Sequence, residues 1–291
     1  MNSGAVSAGH KLGQMIGNFF EEFFSNTFKE FALERNLYCD RKGPRLAVRG
    51  DKLKVTWHDS DGNPHDLDYV LEVNGNEARQ GKPIAFIELA WRRYTKHSRN
   101  KSGEIEGSLL HLCNTYKSCR FIGALLAGEY SEGGLRQLRS HQIAVLHVPF
   151  GKIAEAFRRR GIDLAYPENA SDELKRRVIA EWESLSHEDL RIIEQSLRAS
   201  IKDDLSDFMK ALEAAISRAV ESVRILSLYG EEILCQTIAE GIELLSRYEI
   251  STRGQLKHHK FEVYVRFKNG SKVEGTFVEK DEAIEFLEAF S

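Results

Sequence analysis

Two apolar runs, at 120–126 and 143–148, constrain the architecture of this chain more than any other feature. A strand covered on both faces loses the polar–apolar alternation of an exposed sheet and reads as a continuous apolar run. Between them lies a helix-length segment, Glu132–Ser140. Strands joined through a helix are not a hairpin, so the unit predicts a parallel pair with a right-handed crossover. A sheet between helical layers follows, and the first ~165 residues are expected to form an α/β fold.

The segments before this unit fit that expectation. From Lys11 to Asn36, Met15, Ile16, Phe19, Phe20, Phe23, Phe24, Phe28 and Phe31 recur at helical spacing. The opposite stripe holds Gly13, Gly17 and Glu21, and its lack of bulk predicts close approach to another element. Arg45–Arg49 and Lys52–Trp57 flank Gly50-Asp51 in hairpin fashion. Asp61-Gly62-Asn63-Pro64 is a turn, and two strands follow, Asp66–Val73 and Pro83–Trp91, completing a meander of three or four strands. Ile105, Leu109, Leu112 and Tyr116 line a helix over 102–117, and Ile153–Arg160 reads as another.

Beyond residue 165 the pattern changes. Residues 171–250 are expected to be helical throughout, with Leu190, Ile193, Leu197, Ile201, Leu205, Phe208 and Leu212 in 3–4 spacing. Residues 258–291 read as a ββα unit: Asn269-Gly270 separates two alternating runs, and Asp281 can cap a last helix. No internal repeat is evident.

A formal net charge of −3 gives no global basic field, so any nucleic-acid surface has to be local. The four cysteines form no CxxC pair and show no zinc-ligand spacing, which suits reduced thiols. There is no signal-peptide core and no run approaching ~18 apolar residues, so a cytoplasmic location is expected. Phosphate-loop, nucleophile-elbow and HExxH motifs are absent.

Chemistry concentrates around two acids. Residues two apart on a strand share a face. Asp66, Asp68, Val70 and Glu72 would therefore point one way, and Glu88, Ala90 and Arg92 would share a face of the next strand. If Asp68 and Glu88 sit across the ladder, their carboxylates can share a Mg²⁺, which takes oxygen ligands at about 2.0–2.1 Å and keeps several waters. Directly after Glu88 comes a basic tract, Arg92, Arg93, Lys96, His97, Arg99 and Lys101, interleaved with Trp91 and Tyr94. Arginine forks suit phosphate oxygens, which makes Arg92, Arg93 and Arg99 candidate DNA contacts.

The order of a helix with an inward Glu21, a meander, Asp68, about twenty residues, Glu88, then helix–strand–helix–strand resembles the PD-(D/E)xK nuclease superfamily. The resemblance covers roughly residues 10–165. It implies a restriction-endonuclease-like mixed sheet flanked by helices, here followed by the helical region and the ββα unit. In that family the first Asp and the second acid bind the metal, and a lysine two residues on positions or activates the water. By that match Asp68 and Glu88 take the metal roles, with Glu21 and Glu104 as further metal or water contacts. Leu67 stands where the family often has proline, and Ala90 occupies the lysine position. Some members take the lysine from a neighbouring helix, which makes Lys101 the first candidate here and Lys96 the second.

The resemblance therefore implies a Mg²⁺-dependent DNA endonuclease of restriction or phage-defence type. Duplex cleavage suggests a homodimer. A catalytically inactive nucleic-acid-binding subunit, supported by Ala90, and an RNA nuclease are the alternatives.

Overall fold

The structure, a computed structural model, describes residues 7–217, 220–227, 232–249, 260–267 and 271–290, except the side chain of His97. They fall into two units, residues 1–212 and 213–291.

The first unit runs α1 (Ala8–Leu33), β1 (Leu37–Arg41), α2 (Leu46–Arg49), β2 (Val55–His58), β3 (Pro64–Leu67), β4 (Tyr69–Val73) and β5 (Lys82–Arg92). A 3₁₀ turn, Thr95–His97, leads into α3 (Ser98–Thr115), β6 (Phe121–Gly128), α4 (Glu132–Ser140), β7 (Ala144–Pro149) and α5 (Phe150–Arg158). Helices α6 (Asp172–Glu183), α7 (His187–Ser200) and α8 (Lys202–Ile216) follow. Five strands form a mixed sheet in the order β1-β4-β5-β6-β7, antiparallel through β5 and parallel from β5 to β7. The strand–helix–strand unit is thus a parallel pair, and every residue of β6 is buried.

Helix α1 packs through its expected phenylalanine stripe. Phe19 meets Phe157 and Trp182, while Phe20 stacks on Trp91 of β5. Across the sheet, α3 sends Ile105, Leu109 and Leu112 into a core with Val70, Phe86, Ala90 and Leu126. Gly128 ends β6 at φ 103°, and a Cβ there would lie 2.0 Å from the Arg92 carbonyl oxygen. Only glycine allows that approach, which keeps the ends of β5 and β6 together.

Three readings of the first unit need correction. The expected hairpin around Gly50-Asp51 is one helical turn, α2, followed by an extended approach to β2; the hairpin in this region is β2–β3, around Asp61–Pro64. Arg45 explains the difference. Its guanidinium, 1% exposed, meets Asp40 and Glu72 at 2.7 Å each and donates to the Asn76 and Arg79 carbonyls. That network draws Arg45 inward and leaves no strand there. Second, β1 was not anticipated, because this edge strand buries only Asp40 and shows no apolar alternation. Third, the strand expected over 66–73 breaks at Asp68, so β3 pairs with β2 and β4 joins the main sheet.

The helical reading of 171–250 holds through α8 and fails at Val220. The second unit comprises β8 (Val220–Ser227), β9 (Glu232–Cys235), α9 (Ile238–Arg247), β10 (Phe261–Phe267), β11 (Lys272–Phe277) and α10 (Lys280–Glu288). Its antiparallel sheet has the order β11-β10-β8-β9. The unit is two ββα repeats joined along β8 and β10, with Arg224 opposite Tyr264 in the middle. Gly241-Ile-Glu-Leu-Leu in α9 corresponds to Ala283-Ile-Glu-Phe-Leu in α10. Val223, Ile225 and Leu245 bury as Val263, Val265 and Leu287 do. A repeat is therefore present where none was read, and the tail is its second half. The Asn269-Gly270 turn lies outside the described residues, but the strands on either side of it pair antiparallel as expected.

Removing one partner from a buried charge network strands the others without compensation, at about 3–5 kcal/mol. Arg45→Ala should lose stability of that order in denaturant titration, since Asp40 and Glu72 are as buried as the arginine. A loss below about 1 kcal/mol would show that water replaces the guanidinium at little cost.

Candidate active site

Asp68 occupies the point where the chain changes sheets. Leu67 still pairs with Val55 of β2, while Tyr69 pairs with Arg41 of β1 and Ile87 of β5. Between the two ladders, the Asp68 carboxylate accepts the backbone N–H of Leu89 at 2.6 Å. One step beyond the Tyr69–Ile87 pair, Asp68 lies level with Glu88. The Tyr69 hydroxyl donates to the Glu21 carbonyl, fixing α1 beside this corner. The side chain of Glu21 is ion-paired to Lys42 at 2.9 Å. Burial pushes the Asp68 carboxyl up to about 7. The Leu89 amide opposes that shift, Glu88 and Glu21 add to it, and Lys101 counters it.

Glu88 projects from the α3 face of β5, between the core positions Phe86 and Ala90, and is 6% exposed. Lys101 reaches down from α3 to 3.8 Å from Glu88 and 3.4 Å from Glu104. Ser108, two turns along, lies close enough to the Glu88 carboxylate to lower its proton affinity. Residues 101, 104 and 108 share one stripe of a helix. A cation in the first turn opposes the helix dipole, so the two carboxylates, rather than α3, account for the placement of Lys101. Burial raises the Glu88 carboxyl, while Lys101, Ser108 and His65 pull it down. The start of α3 is tied in place by Ser98, which donates to Thr95 and accepts from the Ser131 amide.

The other expected residues divide. Glu104 flanks Lys101 at the rim and is mostly exposed. Lys96 is ion-paired to Glu168 at the surface and does not join the acids. Arg92 lines the adjoining cleft with its guanidinium on the Trp91 carbonyl. Arg99 is exposed in the first turn of α3. Arg93 is committed elsewhere, contrary to the phosphate role expected of it. Its guanidinium lies 3.6 Å from the Phe150 ring centroid and donates to the Leu164 and Tyr166 carbonyls, bracing the chain after α5.

Two features escaped the sequence reading. His65 Nε2–H donates to the Asp59 carboxylate at 2.9 Å, and its ring stacks 6.2 Å from that of His111 on α3. His65 and the Asn63 and Asp61 amides hold the Asp59 carboxyl well below the usual carboxylate range, against its burial. An Asp and a His astride a recognisable turn were the available signal. The second is the direction of the glycine stripe. A Cβ on Gly13 or Gly17 would touch nothing within 4 Å. Instead of packing closely, these glycines border a cleft of about 970 Å³ whose other residues include Leu89–Tyr94, Lys101 and Glu104. A recess of about 290 Å³ holds Asp68 with Glu21, Arg41 and Lys42.

Among the described residues no three His, Cys, Asp or Glu side chains are grouped to hold a metal ion. No helix among them is long and apolar enough to cross a membrane. No protein-family model matches the chain, and no curated protein matches it. A solved structure described as a protein of unknown function, AF1548, aligns with 65% of this chain and 99% of its own at 13% identity. Its TM-score of 0.30 is too low to assign a fold by.

Glycine within a helix costs about 0.5–1 kcal/mol relative to alanine. Because Gly13 borders open space, Gly13→Ala should stabilise the chain by that amount in thermal or denaturant unfolding. A destabilisation would mean that the cleft wall is closed there.

Proposed function

We propose that the chain is a Mg²⁺-dependent DNA endonuclease with a restriction-endonuclease-like core. The observation that carries this reading is the Lys101 ammonium beside Glu88, delivered from a facing helix where Ala90 leaves the strand without a lysine. The change from antiparallel to parallel pairing at β5 supports the same reading of the core.

The donor set fits the ion. Mg²⁺ binds through one or two carboxylates, substrate phosphate oxygens and retained waters, and does not require an all-protein cage. Asp68, at the junction before β4, and Glu88, on β5, are two hard oxygen donors, and both are held above their ordinary range by burial. When bound, Mg²⁺ supplies Lewis-acid polarisation of the phosphodiester and a more acidic water. The chain does the rest. Lys101 favours the ionised form of Glu88 and offers N–H donors to a water or a phosphate oxygen. Arg92 and Arg99 supply cationic contacts for the backbone phosphates that enter the cleft. A homodimer would let two such sites address both strands, and a cytoplasmic setting suits the substrate.

Plasmid DNA incubated with Mg²⁺ or with EDTA tests this. Asp68→Ala and Glu88→Ala should each lower the cutting rate on the order of a thousandfold or more. Lys101→Ala should slow cutting while gel-shift affinity persists. Undiminished cutting by the two acid variants would sink the site, and preference for RNA would make the chain an RNA nuclease. DNA binding without cutting by the wild type would leave the inactive-subunit reading.

The raised Asp68 carboxyl gives the pH dependence a sign. Cation binding needs the ionised form, so Mg²⁺ affinity by calorimetry should fall about tenfold per unit below pH 7 and level off above it. In the absence of cation, the same shift makes the folded chain lose stability as pH rises from the unfolded value of about 3.9 to about 7. Mg²⁺ should restore that loss, and Asp68→Asn should reduce both effects to the share that Glu88, raised in the same direction, contributes. A pH-independent affinity would remove Asp68 from the binding site.

A further inference from the structure

Beyond Asp68 the open surface continues along α1. Gly13, Gly17, Glu21 and Lys29 fall at multiples of four residues, the spacing that forms a ridge on a helix. The glycines border the cleft, Glu21 lines the recess at Asp68, and Lys29 lines a groove of about 460 Å³ against β1. Cleft and recess meet at Asp68, whose carboxylate holds the amide of Leu89 in the cleft wall. Recess and groove share Arg41 and Lys42. β1 is the edge of its sheet, and among the described residues no strand pairs with its outer side.

Charge in this region is spent unevenly. Arg49 closes on Asp40 and on the Arg41 and Gly43 carbonyls, while Arg45 holds Asp40 from within. Lys42 is paired to Glu21. Two cations are left, the exposed Lys29 and the half-buried Arg41, and among the described residues neither meets a carboxylate within ion-pair distance. The remaining acids of recess and groove, Glu22 and Glu77, are exposed. A partly desolvated guanidinium without a counter-charge favours an incoming anion, and its planar fork suits phosphate oxygens. The acid pair is therefore bracketed, with Arg92 on the cleft side and Arg41 and Lys29 on the other. A small anion would need one of these flanks; a chain of phosphates uses both.

We infer that Arg41 and Lys29 form a second phosphate-binding arm, which holds the nucleic-acid backbone on the far side of the acid pair from Arg92. The inference rests on the nuclease reading of Asp68 and Glu88. Arg41, in the same recess as Asp68, takes the phosphate next to the reacting one. Lys29, in the adjoining groove, takes one further along the strand. Both are positioning residues.

Fluorescence anisotropy of a labelled DNA duplex with the full chain, in EDTA over a range of salt concentrations, tests this without cutting. Arg41→Gln and Lys29→Gln should each lower the slope of log affinity against log salt by about one, as loss of a phosphate contact does. Neither substitution strands a partner, so thermal unfolding should stay at the wild-type temperature. Arg139→Gln removes the same charge from α4, beside the opposite edge of the sheet, and should leave the slope as it is. With Mg²⁺ present, the cost of Lys29→Gln should fall on KM rather than kcat. Wild-type slopes in both variants, with a wild type that binds and cuts, would overturn the arm and leave the nuclease reading standing. Lowered slopes with a wild type that never cuts would keep the arm as a nucleic-acid contact and sink the nuclease reading. Binding of poly-glutamate that both variants lose, while DNA affinity holds, would overturn the arm in favour of an acidic protein segment.

Discussion

The hydrogen bond from the Leu89 amide to Asp68 is the contact on which the arrangement of the site depends. Asp68 is the residue at which the chain leaves the β2–β3 ladder for the main sheet. Such a residue gives up its own place in a ladder, and its side chain takes the amide instead. The bond sets the height of Asp68 against β5, and so brings a second carboxylate level with Glu88. The cost is a half-buried acid with one strong donor, and its proton affinity rises accordingly.

A second group of buried acids in the same unit shows what full compensation looks like. Asp40 and Glu72 are as hidden as Glu88, yet Arg45 meets Glu72 with two parallel N–H donors and Arg49 closes on Asp40 from the other side. The Gly81 amide adds a further bond to Glu72. Such a network spends its charges on itself and holds the segments around 45 and 76–81 to β1 and β4. Glu88 has only a looser ion pair, at 3.8 Å to Lys101. Glu88 is thus only partly compensated, whereas the acids around Arg45 form a structural clamp.

How far the sequence discloses this depends on whether the signal is local. The α1 stripe, the fully apolar β6 and the order β6–α4–β7 follow from periodicity, because burial there is simple and uncompensated. The approach of Lys101 to Glu88 was accessible only through topology: a helix after β5 has to return over the strand it leaves. The break at Asp68 was not accessible, since Asp66–Val73 is a plausible single strand and what divides it is a bond to an amide about twenty residues later. The fate of Arg93 turned on carbonyls some seventy residues away. In the second unit the repeats share buried positions far more than residue identities, so β8 could be taken for a continuation of the helical spacing before it.

Helix α3 is held at both ends by bonds to other segments. At its start Ser98 donates to the Thr95 carbonyl and accepts from the Ser131 amide. Just past its end the Tyr116 hydroxyl donates to the His58 carbonyl, and the Ser118 hydroxyl to the Pro83 carbonyl. Between those anchors Ile105, Leu109 and Leu112 are buried in the core. A helix tied and packed in this way has little freedom to slide along β5, so the 3.8 Å between Lys101 and Glu88 is set by the anchors and the core rather than by the ion pair itself.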